Sequence, residues 1–316
     1  MLTKFWETFA GKLAEQWTAR LFSPALAFWA GGFLAWIYSK PSTWAQTITE
    51  FGAVVTRLPA ATQIAALLGA LLVLAGSTII VERLTPTLLR LLQGYWPDFL
   101  RWRLASRHRR RHYALEIKYQ GLAERRFAQS GSDDGPGLGA DDEEIEKLGE
   151  ELRKLPLPHR LMPTRLGNTL RMVEDRPRLM FGLASDVCWP YLWLLIDTDT
   201  RAQITEARDK IDRAAQSWLW GFLFLAWTPW AWWAAPVALL VMSSSYWLSA
   251  ISAAETYGTL MEAAFALNRF KLYGALGFRV PEDPVHAEFR TGKALSMYLG
   301  QGYATEELRR LWIFGE

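Results

Sequence analysis

The side chains best placed for chemistry are hydroxyls. Ser245, Ser249, Ser252 and Thr256 follow one another at steps of four, three and four, so on a regular helix they share one face. The three serines close a 41-residue stretch, 214–254, that holds no charged residue, and Thr256 follows just beyond Glu255. In such a setting hydroxyls bond across to a neighbouring helix at close approach, or they line a narrow aqueous path in a ring of subunits. Both readings stay open. Nothing in the sequence matches the glycine-rich phosphate loops G-x-x-x-x-G-K-[ST] and G-x-G-x-x-G, or the nucleophile elbow G-x-S-x-G. His108, His112, His159 and His286 have no Ser or Cys partner in sequence. His108 and His112 have the spacing of a metal pair, but Arg109, Arg110 and Arg111 between them oppose a cation. A single cysteine, Cys188, excludes an internal disulfide and a cysteine-based zinc site. The expectation is a protein that is not an enzyme, with no cofactor and no metal.

The elements that position these hydroxyls are apolar. Of 316 residues, 51% are hydrophobic and 17 are Trp, a residue that concentrates where one end of its ring is dry and the other wet. Besides 214–254, residues 21–39 and 58–81 carry no charge. Crossing ~30 Å of hydrocarbon takes about 20 helical residues, so the first two runs make one span each and the third makes two. The third run breaks at Thr228-Pro229-Trp230-Ala231-Trp232-Trp233, a turn at the far interface. The fold class expected is all-α: an integral membrane protein with four transmembrane helices in two pairs and a cytoplasmic helical domain. No Asp, Glu, Lys, Arg or His lies inside a span, which excludes transport by a proton relay. A cleaved signal peptide fits poorly, because the first apolar run is too long and a second follows soon after.

Orientation follows from Lys and Arg. The segment 82–213 holds 23 of them, against Lys40 and Arg57 between the first two spans and none in the hairpin turn. Both termini and the middle segment are expected in the cytoplasm, at a bacterial inner membrane. Residues 1–20 read as an interfacial amphipathic helix. Arg107, Arg109, Arg110 and Arg111, with Arg101 and Arg103, read as headgroup contacts to anionic lipid at the cytoplasmic face of the bilayer. The net charge of +3 offers no global field for nucleic acid. Residues 130–144 read as a disordered acidic loop. Ile145, Leu148, Leu152 and Leu155 then form a packing stripe ended by Pro156 and Pro158. Small residues mark packing faces in the first two spans: Ala27 with Gly31, and Thr62, Ala66, Gly69 and Gly76. Asp199 or Thr200 is expected to cap the helix that leads to Arg213. The last span is expected to continue as one helix beyond the membrane, with residues 255–316 forming C-terminal helices.

Residues 159–193 are the least generic. Pro163 opens a helix with Leu166, Leu170 and Val173 on one face, while Arg165, Asn168, Arg171, Glu174 and Asp175 read as a cytoplasmic ligand or partner surface. Here the chain resembles a family of uncharacterised bacterial multi-pass membrane proteins. The resemblance rests on Pro163-Thr164-Arg165-Leu166-Gly167-Asn168, Glu174-Asp175, Gly182-Leu183 and Trp189-Pro190. The chain departs at Phe181, where that pattern has Tyr, and at Ala184, with the acid displaced to Asp186. Covering roughly residues 155–300, the resemblance implies a shared fold and supplies no activity. In coarse arrangement alone the spans also resemble bestrophin-type anion channels. Two functions follow as expectations. The first is a homo-oligomeric channel or pore gated by its cytoplasmic helices, with a membrane-permeabilising bacterial defence effector as a variant. The second is a non-conducting anchor or sensor that recruits a soluble protein partner.

Overall fold

The computed structural model describes residues 24–40, 43–129, 140–280 and 286–302. Among them every regular element is a helix: α1 Pro24–Tyr38, α2 Trp44–Arg57, α3 Ala60–Gln93, α4 Asp98–Gln129, α5 Ala140–Arg153, α6 Arg165–Phe181, α7 Ser185–Leu195, α8 Thr198–Phe224, α9 Ala234–Ser244, α10 Ile251–Ala275 and α11 His286–Gln301. A π-helical turn, Ser245–Ala250, joins α9 to α10, and short 3-10 turns follow α5 and α8. The chain divides into two compact units, Met1–Leu89 with Asp212–Ser249, and Arg90–Ile211 with Ala250–Glu316. The expected N-terminal interfacial helix at 1–20 lies outside the described residues.

Two helices are long and apolar enough to cross a membrane, Ala60–Gln93 and Ala234–Ala275. At ~1.5 Å per residue the 34-residue α3 runs about 51 Å, more than the ~30 Å of hydrocarbon, so it carries Glu82 and Arg83 well past the apolar run. The two other expected spans are less complete. α1 has 15 described residues, and the apolar end of α8 continues a helix whose first half is polar.

In the first unit the connection expected between two spans contains a helix, α2. Its apolar residues Trp44, Ile48, Phe51 and Val55 recur at helical spacing, and only Thr47 is buried. The Phe51 ring lies 5.4 Å from that of Phe33 and 6.4 Å from that of Trp36. Close approach in α1 is made by Gly31 and Gly32. A Cβ on either would stand 2.3 Å from the Phe224 ring or 2.4 Å from the Trp227 ring, whereas Ala27 of the expected pair is exposed. Around them Phe28 meets the rings of Trp29, Trp220, Phe224 and Trp227. The buried cluster itself is small: Ala25, Val81 and Trp220. In α3 the face expected to pack is open, since Gly69 and Gly76 have no neighbour within 4 Å of an added Cβ.

The second unit has a broad core of α6, α7, α10 and α11, with Phe181, Leu183, Leu192, Phe265, Leu272 and Phe278 at its centre. α6 starts where the Thr164 hydroxyl accepts from Gly167 N (3.1 Å), satisfying one orphan donor of the first turn. It stops at Gly182, whose φ of 73° is left-handed and whose N–H closes on Arg178 O. Leu166, Leu170 and Val173 are buried on one face. α8 is capped by Asp197, in place of the expected Asp199 or Thr200. One carboxylate oxygen accepts from Thr200 N and the other from the Thr200 hydroxyl, both at 2.7 Å. These bonds hold the Asp197 carboxyl below its ordinary range. α5 begins at Ala140, so the expected acidic loop is shorter at its C-terminal end. There Asp142 and Glu144 pair with α4 through Arg126 (2.9 Å) and Lys118 (2.6 Å), which gives the acidic run a helical partner.

Candidate functional site

The hydroxyl stripe divides. Ser245 is 6% exposed, whereas Ser249, Ser252 and Thr256 are exposed. The physical reason is the π-helical turn that begins at Ser245. Its i→i+5 bonding adds a residue to the turn and shifts the phase of every side chain beyond it, so steps that share a face on an α-helix do not share it here. The expected four-residue path loses Ser245. Thr256 Oγ1 donates to Ser252 O at 3.0 Å, so its hydrogen is satisfied within the helix.

The basic run lies along α4. Arg110 and Arg111 are exposed and Arg109 is half-buried. Arg111 pairs with Glu151 of α5 at 3.4 Å. Arg109 and Arg110 have no acidic partner among the described residues, and the Arg107 side chain lies outside them. His112 is buried beside Glu116, at 3.7 Å. Among the described residues no group of three or more His, Cys, Asp or Glu could hold a metal ion.

Of the five residues expected on the α6 surface, two are internal. Asn168 is buried and accepts from Met162 N at 2.7 Å, pinning the segment before α6. Asp175 is 1% exposed and is ion-paired to Arg160. A carboxylate taken out of water needs such a counter-charge. Burial pushes the Asp175 carboxyl up, and Arg160 opposes the rise. The remaining three are engaged at the surface. Arg165 pairs with Glu255 at 3.4 Å, and Arg171 reaches Glu174 at 2.9 Å and donates to the Tyr95 hydroxyl at 2.8 Å. Arg160, Arg176, Glu255 and Glu262 join this network without a sequence signal, because their partners sit on other helices far along the chain.

Two cavities flank α6. One, of about 400 Å³, sets Arg160, Arg171 and Arg178 against Glu174, Asp186 and the rings of Trp189 and Tyr257. The other, of about 430 Å³, opens between α6 and α10. The one thiol is no nucleophile: Cys188 is fully buried, and burial raises it to about 11. Comparison with protein families, with curated proteins and with solved structures returns no match.

Proposed function

We propose that the chain is a four-span inner-membrane protein that assembles with copies of itself into a channel or pore, gated by the helical second unit. Both termini and that unit would lie in the cytoplasm. The membrane reading is supported by where the apolar surface lies. The most apolar window of α3 is 6% buried, the reverse of a soluble core helix. Leu67, Leu72, Leu239, Leu240 and Leu248 face outward with it. α1 and the apolar end of α8 supply the other two spans. Trp232 Nε1 donates to the Tyr38 hydroxyl at 3.1 Å, which supports the end of α1 and the turn at 228–233 lying at one end of the bundle.

Conduction is carried by one observation: Ser249 is exposed at the end of the charge-free run 214–254, and the exposed Ser252 and Thr256 continue the row of hydroxyls into the second unit. Hydroxyls in that position suit water or a second subunit better than lipid. The open glycine face of α3 supports contact with another copy. A non-conducting anchor is the competing reading. Its docking surface would draw on the basic run of α4, the acidic segment before α5 and the α6 surface, and of these Arg165, Arg171 and Glu174 are already paired within the protomer. Ion flux from proteoliposomes tests the proposal. Changing Ser249→Leu together with Ser252→Leu should lower flux by roughly tenfold or more, since a leucine dewets a narrow path. Unchanged flux removes the path, and a wild-type protein that conducts nothing but captures a soluble partner establishes the anchor.

A further inference from the structure

The cavity between α6 and α10 is electrostatically unbalanced. Four cations line it, Arg153, Lys154, Arg165 and Arg176, against two carboxylates, Glu255 and Glu262. Arg165 is held by Glu255 at 3.4 Å and Arg176 by Glu262 at 3.2 Å. Arg176 also donates to Arg153 O at 2.9 Å, tying the end of α5 to the rim. The side chains of Arg153 and Lys154 have no carboxylate partner among the described residues. Two positive charges are therefore in excess over a concave surface, where low-dielectric walls focus the field. The cavity on the other side of α6 carries a smaller excess: Arg160, Arg171 and Arg178 line it against Glu174 and Asp186, and Arg160 is also held by the buried Asp175.

We infer that the α6–α10 cavity binds a phosphate monoester. Such a group carries close to two negative charges at neutral pH, which matches the excess. It accepts from a planar guanidinium fork and from an ammonium, which the unpaired Arg153 and Lys154 supply. A volume of about 430 Å³ admits the phosphate and a small organic remainder. The phosphate can arrive as a soluble metabolite or as the headgroup of an anionic lipid, and the chemistry recognised is the same. The inference does not depend on whether the protein conducts.

The test uses the full chain in a neutral detergent, with two probes. Inorganic phosphate is titrated calorimetrically, and phosphatidic acid bound per protomer is counted by native mass spectrometry. The variant R153Q/K154Q removes the two unpaired cations and leaves both ion pairs, so its melting temperature should match the wild type. The expected result is saturable binding of at least one probe, weakened by roughly tenfold or more in the variant. Binding of phosphate alone assigns a soluble ligand, and binding of phosphatidic acid alone assigns a lipid. If neither binds, or if the variant binds both as the wild type does, the site is not there. An R109Q/R110Q variant, altered on α4 outside the cavity, should keep the calorimetric affinity for phosphate. Loss there equal to that of R153Q/K154Q would also overturn the assignment.

Discussion

The two units are built from the same element, an α-helix rich in Leu, Ala and Trp, yet they spend it in opposite ways. In the second, fourteen residues from Val173 to Leu295 close into one buried cluster, and the buried carboxylate Asp175 is ion-paired to Arg160. Even Glu288, 3% exposed, is held by Arg269, whose guanidinium stacks 4.2 Å from the Phe270 ring centre. Among the described residues of the first, the cluster around Trp220 is three residues, and large apolar side chains such as Leu67, Leu72, Leu239 and Leu240 are exposed. One sequence cannot satisfy both patterns in a single solvent. On the proposed membrane reading, the first unit is finished by an apolar surrounding and the second by water.

That contrast can be broken with one substitution made twice. Leu72 is 72% exposed in α3 and Phe127 is 86% exposed in α4. In lipid, Leu72→Asp should cost about 3 kcal/mol and abolish insertion, whereas Phe127→Asp in water should stay within about 0.5 kcal/mol. Membrane yield and melting temperature of the two variants read the difference; equal behaviour would erase it. A smaller effect sharpens the picture of the second unit. Gly182 combines a left-handed φ with a Cβ position 2.3 Å from Phe289 O, so Gly182→Ala should destabilise that unit by about 2 kcal/mol, visible as loss of hydrogen-exchange protection over α6 and α11. The smallest effect is at Asp197. Its carboxyl is held below the ordinary range, so the native state binds its proton less readily than the unfolded chain does. The stability it contributes is present above the ordinary carboxylate range and is lost as pH falls through the depressed value. Asp197→Ala should lower the melting temperature slightly at neutral pH and flatten its acid-side decline; an unchanged decline would deny the cap.

The all-helical class was legible because three charge-free runs and the spacing of Leu166, Leu170 and Val173 are local signals. What escaped was whatever depends on a partner helix or on phase. α2 was hidden because its apolar positions alternate with Gln46, Glu50 and Thr56, leaving no charge-free run to notice. Ser245 left the expected path because one π-helical turn re-phases a stripe that is regular on paper. Asn168 and Asp175 read as surface because polar residues usually are, and only Met162 N and Arg160, across a turn, draw them inward. Asp142 and Glu144 read as loop because acid and glycine run together there, while α4 supplies the counter-charges that make a helix start at Ala140.

The central claim is that α3 faces lipid while α4 faces the aqueous cytoplasm. Labelling of single Leu72→Cys and Phe127→Cys variants with a membrane-impermeant maleimide tests it directly, because the native Cys188 is fully buried. Leu72→Cys should resist the reagent in both sealed and opened membrane vesicles, and Phe127→Cys should react once the cytoplasmic face is open. Reaction of Leu72→Cys as readily as Phe127→Cys in opened vesicles would contradict the account.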